Sequence, residues 1–251
     1  MRQSMEADTV KELQAALDAI NQTTDIELKH RLNAAALMTG YHYHWSSDDE
    51  FTSLGEEVEF LVPVRSVQTG ERLRWWRGIS GAIDGILRRN TDGTIWLREA
   101  KTSGENVSDG SPYWRRIQID HQLAWYTTAQ AQLGIRISGV LYDVAAKPLI
   151  KPKALTKQQR QEINAYGVYY GQQVDQRSAM EKRQHAVLFG HRLAHHCCEN
   201  GERYYHREMI YQTLDDLYQS AEELQQFATQ MAADYAADVH PRNTSSCHNQ
   251  Y

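Results

Sequence analysis

The tetrapeptide Asn90-Thr91-Asp92-Gly93 stands between two runs of strand-forming residues, Leu73–Arg88 and Thr94–Lys101. An Asp-Gly pair supplies the left-handed backbone that a tight hairpin turn needs. The two runs are therefore predicted to fold back on one another as antiparallel neighbours. That single turn commits the middle of the chain to a sheet and sets which residues of one strand face which of the next.

The pattern on either side extends the sheet. Val58, Phe60, Val62 and Val64 alternate with Glu57, Glu59, Leu61 and Pro63, the period of a half-buried strand. Thr69-Gly70 marks a turn, and Gly78, Gly81 and Gly85 punctuate the run that follows. Trp114 to Leu133 has helical spacing, with Ile119, Leu123, Tyr126, Ala129 and Leu133 near one face and Gly134 after its end. Ile137–Val144 is a further strand. Upstream, residues 1–39 read as helical: Val10, Leu13, Leu17 and Ile20 share one face, and a second helix from about Asp25 stops near Gly40. The acidic stretch Ser46–Glu50 is predicted as a loop, and most of the chain after residue 150 as polar helix with a strand-like piece at Arg203–Met209. The expected architecture is α/β, a central mixed sheet flanked by helices with a helical C-terminal region. The segments are 1–45 (helical), 46–150 (core) and 151–251, the last belonging to the same domain.

Composition excludes several classes. With 251 residues, 41% hydrophobic and 24% charged, the chain can bury a core and is not a disordered tail. No apolar run has the length of a transmembrane helix, and the charged N-terminus lacks the apolar core of a signal peptide, so no membrane partner and an intracellular location are expected. Three cysteines form no disulfide framework, in keeping with a reducing compartment. A net charge of −5 argues against a protein coated in basic residues, though not against a basic groove on an acidic body.

The chemistry concentrates in Gly81-Ala82-Ile83-Asp84-Gly85, then Glu99-Ala100-Lys101, then Gln122 and Tyr126. Side chains at i and i+2 of a strand point the same way, so Glu99 and Lys101 share a face. The hairpin lets Asp84 lie across from Glu99. Two carboxylates so close repel each other unless a cation lies between them. Oxygen ligands with no His or Cys beside them suit Mg²⁺ or Mn²⁺ rather than zinc. A neighbouring lysine can orient or deprotonate an attacking water. Gln122 and Tyr126, at i and i+4, project from one helix face. Taken singly these signals are weak: Glu-x-Lys pairs are usually solvated surface contacts, and an isolated aspartate can cap a turn. Their order along the chain distinguishes them.

In that order, Gly-Ala-Ile-Asp84-Gly, Leu-Arg-Glu99-Ala-Lys101-Thr and Gln122-Leu-Ala-Trp-Tyr126 resemble the motifs of the PD-(D/E)XK nuclease superfamily, and within it the RecB-type branch found in phage- and bacteria-encoded proteins. The similarity runs from about Asn33 to the C-terminus, including Ser111-Pro-Tyr-Trp-Arg-Arg116 and Pro241-Arg-Asn-Thr-Ser-Ser-Cys247. It implies a restriction-endonuclease-like core and a Mg²⁺-dependent deoxyribonuclease in which Asp84 and Glu99 bind the metal, the Ala100 carbonyl is a further ligand and Lys101 is catalytic. Gln122 and Tyr126 match the motif that helps hold DNA and the site. The expected setting is the cytoplasm of a prokaryote or phage-infected host, with DNA ends or single strands as substrate in recombination, repair or phage DNA processing, and a helicase or recombination protein as partner.

The sequence departs from that family's pattern in three places. Ile83 stands where the family name has Pro. Relatives carry an upstream Gly-x-x-x-His element that supplies a metal ligand; Gly40 and His44 have that offset here, within Tyr-His-Tyr-His-Trp, and are read as an aromatic-rich helix end. Glu57 or Glu59 could reach the metal from the neighbouring strand instead. Many relatives hold an iron–sulfur cluster; Cys247 resembles the first of its C-terminal cysteines, but the sequence ends at Tyr251, so the cluster is not expected to be completed and a shortened chain is the expectation.

Other signals are weaker. His191, His195 and Cys198 lie on one helix face near Cys197, His196 and His206, and zinc could bind there with Cys247 or His248; a polar helix end is the preferred reading. Six arginines (Arg65, Arg72, Arg74, Arg77, Arg88, Arg89) face only Glu71 and Asp84 in the same stretch, Lys147–Arg160 adds five positive charges and no acid, and Arg115 and Arg116 open the helix of Gln122. Phosphate contacts from such residues make binding salt-dependent. Trp75, Trp76, Trp114 and Trp125 could stack on bases, with Trp125 expected in the core. The alternatives are a catalytically inactive or weak DNA-binding nuclease relative or fragment, and a structural zinc protein.

Overall fold

The structure, a computed structural model, describes residues 14–20, 22, 26–73, 78–117, 121–180 and 183–239. Backbone at 14–20 is helical, and the named elements follow in the order α1 (Leu28–Trp45), β1 (Phe51–Val62), β2 (Ile79–Arg89), β3 (Ile95–Ser103), α2 (Pro112–Ile117), α3 (His121–Gln132), β4 (Ile137–Ala146), α4 (Lys157–Tyr166), β5 (Val168–Tyr169), β6 (Gln172–Gln173), a 3-10 turn (Gln176–Met180), α5 (Ala186–Glu199), α6 (Gly201–Tyr204), β7 (Tyr205–Tyr211) and α7 (Leu214–Ala236). A mixed five-stranded sheet has the order β1-β2-β3-β4-β7, and β5 and β6 form a separate small hairpin. This is the expected α/β architecture with flanking helices. Among the described residues no helix is long and apolar enough to cross a membrane.

The chain divides into two compact units. One comprises Met1–Asp49, Ala100–Arg115 and Asp143–Glu208, the other Glu50–Glu99, Arg116–Tyr142 and Met209–Tyr251.

In the second unit the predicted turn forms. The Arg89 amide donates to the Thr94 carbonyl at 2.8 Å, Gly93 takes φ +73°, and Asp92 Oδ1 accepts from the Thr94 amide and hydroxyl at 2.9 and 2.6 Å. Those hydrogen bonds, the hydroxyl's first, hold the Asp92 carboxyl below its ordinary range. β2 begins at Ile79 rather than Leu73, and residues 74–77, with Trp75 and Trp76, lie outside the described residues. β1 begins at Phe51, well before Glu57. Val62, Val64 and Ile83 are fully buried and Phe60 nearly so. α7 is closed at its start by a capping box between Thr213 and Asp216. It buries Leu224 and Ala228 against Val64, with Trp125 packed on the same cluster. Each fully buried aliphatic side chain of this size contributes about 1.5–3 kcal/mol.

In the first unit α1 and α5 pack through Ala36, Leu37, Phe189, Leu193 and Cys197, with Tyr204 and Tyr205 beneath. The helix predicted to stop near Gly40 continues to Trp45. Gly40 is buried mid-helix because a Cβ there would run into the Tyr205 hydroxyl and lie 2.7 Å from Cys197 Cβ. Close packing, not chain termination, is this glycine's role. α4 begins at a Thr156–Gln159 capping box and ends at Gly167, whose φ of +62° lets its amide reach the Ile163 carbonyl at 2.8 Å.

Of the helix predicted over Trp114–Leu133, α2 and α3 are the described parts, and 118–120 lie outside the described residues. Leu123 and Ala129 are buried as the spacing requires, whereas Leu133 is 53% exposed. Leu133 belongs to the frayed last turn before Gly134, whose φ is +78°.

Candidate active site

The β2–β3 ladder pairs Arg88 with Ile95, Leu87 with Trp96, Ile86 with Leu97 and Gly85 with Arg98. The next position along each strand is Asp84 on β2 and Glu99 on β3. The ladder ends at Gly85–Arg98; carried one step further, its register would set the two carboxylates opposite each other on one face. Glu99 is buried, 2% exposed, and Asp84 is half-buried. Lys101 lies two residues beyond Glu99 on β3, on the same face by strand alternation, and is half-buried; Ala100 between them points the other way.

β1 adds to this row. Its ladder with β2 pairs Glu56 with Gly85 and Val58 with Ile83, and Glu57 and Asp84 stand between those pairs. Glu57 takes φ +49°, a left-handed conformation that costs a residue with a Cβ about 1–2 kcal/mol. Glu59 pairs with Ala82 and so falls on the Asp84 face. Both glutamates are exposed. Among the described residues no group of three or more His, Cys, Asp or Glu side chains is placed to hold a metal ion. A cation between Asp84 and Glu99 would therefore complete its shell from main-chain carbonyl, substrate and solvent oxygens.

The glycines flanking Asp84 have steric work. A Cβ on Gly85 would lie 3.2 Å from Arg98 Nε, and Arg98 extends to Glu56 Oε1 at 3.4 Å, an ion pair in line with the facing positions Glu56, Gly85 and Arg98. A Cβ on Gly81 would lie 3.0 Å from the Phe60 ring and 3.2 Å from Tyr126 Cε1. Tyr126 meets Phe60 edge to face at 5.6 Å and accepts a 2.7 Å hydrogen bond from Gln122 Nε2. The Gln-x-x-x-Tyr pair thus closes on itself and docks α3 on β1 and β2. Alternation along β2 turns Gly81, against which Tyr126 packs, and Asp84 to opposite faces.

Arg115 and Arg116 are exposed on α2. Trp114 beside them is not available to stack on bases: it is 5% exposed and its indole donates to the Val107 carbonyl at 3.0 Å. Trp125 is half-buried against Phe227 at 5.5 Å.

His44 sits at the end of α1, its ring 4.4 Å from Trp45 and 5.7 Å from Tyr205. It lines a cleft of about 850 Å³ in the first unit with Asp48, Asp109, Glu202, His206 and Arg207. Next to that cleft is a network that the sequence pattern did not reveal. Arg207 donates to Asp143 at 3.0 Å, to Tyr41 at 2.6 Å and to Asp48, while Tyr41 donates to Asp143. The guanidinium also lies 4.0 Å from the Trp45 ring centre. Burial, reinforced by Asp143, pushes the Tyr41 phenol up to about 12. The one available signal was Asp143 itself, an acid inside the apolar run Val140–Val144 and 3% exposed.

His191, His195 and Cys198 line a different cleft of about 490 Å³ with Leu17, Leu32 and Tyr170. His195 stacks on Tyr170 at 4.7 Å, and burial, then His185, holds the His191 imidazole below its ordinary value. Burial raises the thiol of Cys198 and pushes that of Cys197 up to about 11, so neither is poised as a thiolate ligand. Among the described residues no group of three or more His, Cys, Asp or Glu side chains is placed here to hold a metal ion; Cys247 and His248, the further ligands considered for zinc, lie outside the described residues.

Compared with known families, the chain is matched over residues 2–249 by the model of the PD-(D/E)XK nuclease superfamily. A search of curated proteins finds no match.

Proposed function

The chain belongs to the PD-(D/E)XK nuclease superfamily, and on that premise we propose that it is a divalent-metal-dependent nuclease hydrolysing DNA phosphodiester bonds at Asp84, Glu99 and Lys101. The observation that carries this reading is the register: the ladder runs to Gly85–Arg98, and one step further along each strand stand Asp84 and Glu99, with Lys101 next along the Glu99 face.

The donor set fits a hard cation. Glu99 is buried and in that register its facing neighbour would be a second carboxylate, a juxtaposition that ionised groups tolerate when positive charge is shared between them. Oxygen-only donors select Mg²⁺ or Mn²⁺ over softer metals. Asp84, Glu99 and the Ala100 carbonyl would hold the ion, which when bound lowers the pKa of a coordinated water and offsets charge on the phosphate.

The remaining work falls to the chain. Lys101 Nζ orients the attacking water toward phosphorus and stabilises the negative charge that gathers on the phosphate oxygens. The water oxygen forms the new P–O bond, the bond to the leaving deoxyribose oxygen breaks, and the proton released from the water ends on that leaving oxygen. Arg115 and Arg116, exposed on α2, supply phosphate contacts. Gln122 and Tyr126 act through position, holding α3 against Gly81 and so setting the strand that carries Asp84.

The test is cleavage of end-labelled linear single- and double-stranded DNA and of closed circles, with Mg²⁺, Mn²⁺ or chelator, by the wild type and Lys101→Ala. The expected result is metal-dependent loss of DNA by the wild type alone, linear substrates being consumed first if the enzyme works from ends. Salt-sensitive binding with no cleavage in either metal would overturn the proposal in favour of an inactive DNA-binding relative.

A further inference from the structure

The cationic segment Lys147–Arg160 is not used by the site above. It holds five positive charges and no acid in a chain whose net charge is −5. Lys147, Lys151, Lys153 and Lys157 are exposed and Arg160 is half-buried. Among the described residues no carboxylate is paired with any of the five. An ordinary solvated face interleaves both signs; this one does not.

The backbone beneath the charges is held firmly. Pro148 and Pro152 fix their own φ and drive the preceding lysines, Lys147 and Lys151, into extended conformations. The buried Gln184 brackets Lys153, its amide donating to the Lys153 carbonyl at 3.0 Å and its side-chain oxygen accepting from the Lys153 amide at 3.2 Å. Arg192 donates to the Lys151 carbonyl at 2.6 Å and to Gln184 at 3.0 Å. Thr156 then caps α4, ending the extended run. Main-chain groups are thus satisfied inward while the ammonium groups are left to solvent.

The segment also has a defined origin. The Lys147 amide donates to the Ser103 carbonyl at 2.7 Å, and Ser103 lies two residues beyond Lys101 on β3. From that point ten residues of extended chain reach at most about 35 Å, the axial length over which one DNA strand presents roughly ten phosphates.

We propose that Lys147–Lys157 is a phosphate-binding track for the nucleic-acid strand being cut, leading away from Lys101. This rests on the nuclease reading above. Its tether to the strand carrying Lys101 favours nucleic acid over an anionic membrane surface as the polyanion.

The test is the salt dependence of single-stranded DNA binding in chelator. It uses one oligonucleotide long enough to span the segment, the wild type, K147Q/K151Q/K153Q/K157Q, and the matching four-arginine variant. The glutamine variant should show a slope of log affinity against log salt shallower by about 0.7 for each lysine that meets a phosphate. The arginine variant should restore it. An unchanged slope in the glutamine variant would overturn the track, as would unchanged DNA binding alongside lost binding to phosphatidylserine-containing vesicles. Because binding is read without metal, a track that holds while the wild type never cleaves DNA would mark failure of the nuclease reading instead.

Discussion

Tyr126 fills the space that a side chain at position 81 would need: a Cβ built on Gly81 lies 3.2 Å from Tyr126 Cε1. The first glycine of Gly-Ala-Ile-Asp-Gly therefore serves helix docking rather than backbone freedom, and it couples the Gln-x-x-x-Tyr helix to the strand of Asp84. Gly81→Val should overpack this contact and destabilise the protein by about 1–3 kcal/mol. Tyr126→Phe keeps the ring and loses only the Gln122 hydrogen bond, worth about 0.5–1.5 kcal/mol. Denaturant unfolding of the two variants checks the order of the effects.

The metal reading can be tested without activity. If Asp84 and Glu99 share a cation, saturating Mg²⁺ or Mn²⁺ should raise the unfolding midpoint of the wild type, by about 2.7 kcal/mol at a hundredfold excess over Kd. Asp84→Asn and Glu99→Gln should abolish that rise. Scanning calorimetry with and without metal reads the effect.

Lys101→Ala should lower cleavage by about a hundredfold or more, the scale on which a positioned proton-transfer or water-orienting group acts. Metal-induced stabilisation should survive, since Lys101 is not a ligand in this scheme. Single-turnover cleavage beside the thermal shift separates the two roles.

The Arg207 network should matter for folding. Asp143→Ala leaves a largely buried guanidinium without its most buried partner, a loss on the order of 3–5 kcal/mol. The network also predicts alkaline behaviour. The Tyr41 phenol is raised from 10.0 to about 12, so its contribution is fully present below about pH 10 and lost as pH climbs toward 12. Cys197, raised from 9.0 to about 11, adds a loss that begins about a unit earlier. Unfolding midpoints across this range should fall less steeply for Tyr41→Phe than for the wild type.

Gly40→Ala offers a direct contest between local and tertiary terms. Helix propensity alone favours alanine by about 1 kcal/mol. The collision with Tyr205 and the 2.7 Å approach to Cys197 favour glycine, and overpacking of this kind costs about 1–3 kcal/mol. The variant should be less stable, as thermal denaturation would register.

Local chemistry was enough to read much of this protein from its residues. The turn at Asp92-Gly93 needs only a left-handed residue and an acceptor two positions before Thr94, and both are written in the chain. Strand alternation then sets Glu99 and Lys101 on one face, and the ladder from the turn runs to Gly85–Arg98, one step short of Asp84 and Glu99. Boundaries were less legible: α1 runs through Gly40, because helix ends depend on what packs against them. Tertiary structure alone decided that Tyr126 packs against Gly81 and Phe60. It alone brought Tyr41, Asp143 and Arg207 together from positions 102 and 64 residues apart along the chain. The reason is physical: periodicities of two and 3.6 residues record which way a side chain points, whereas the cost of burying an aspartate or crowding a glycine is set by distant residues that no local pattern encodes.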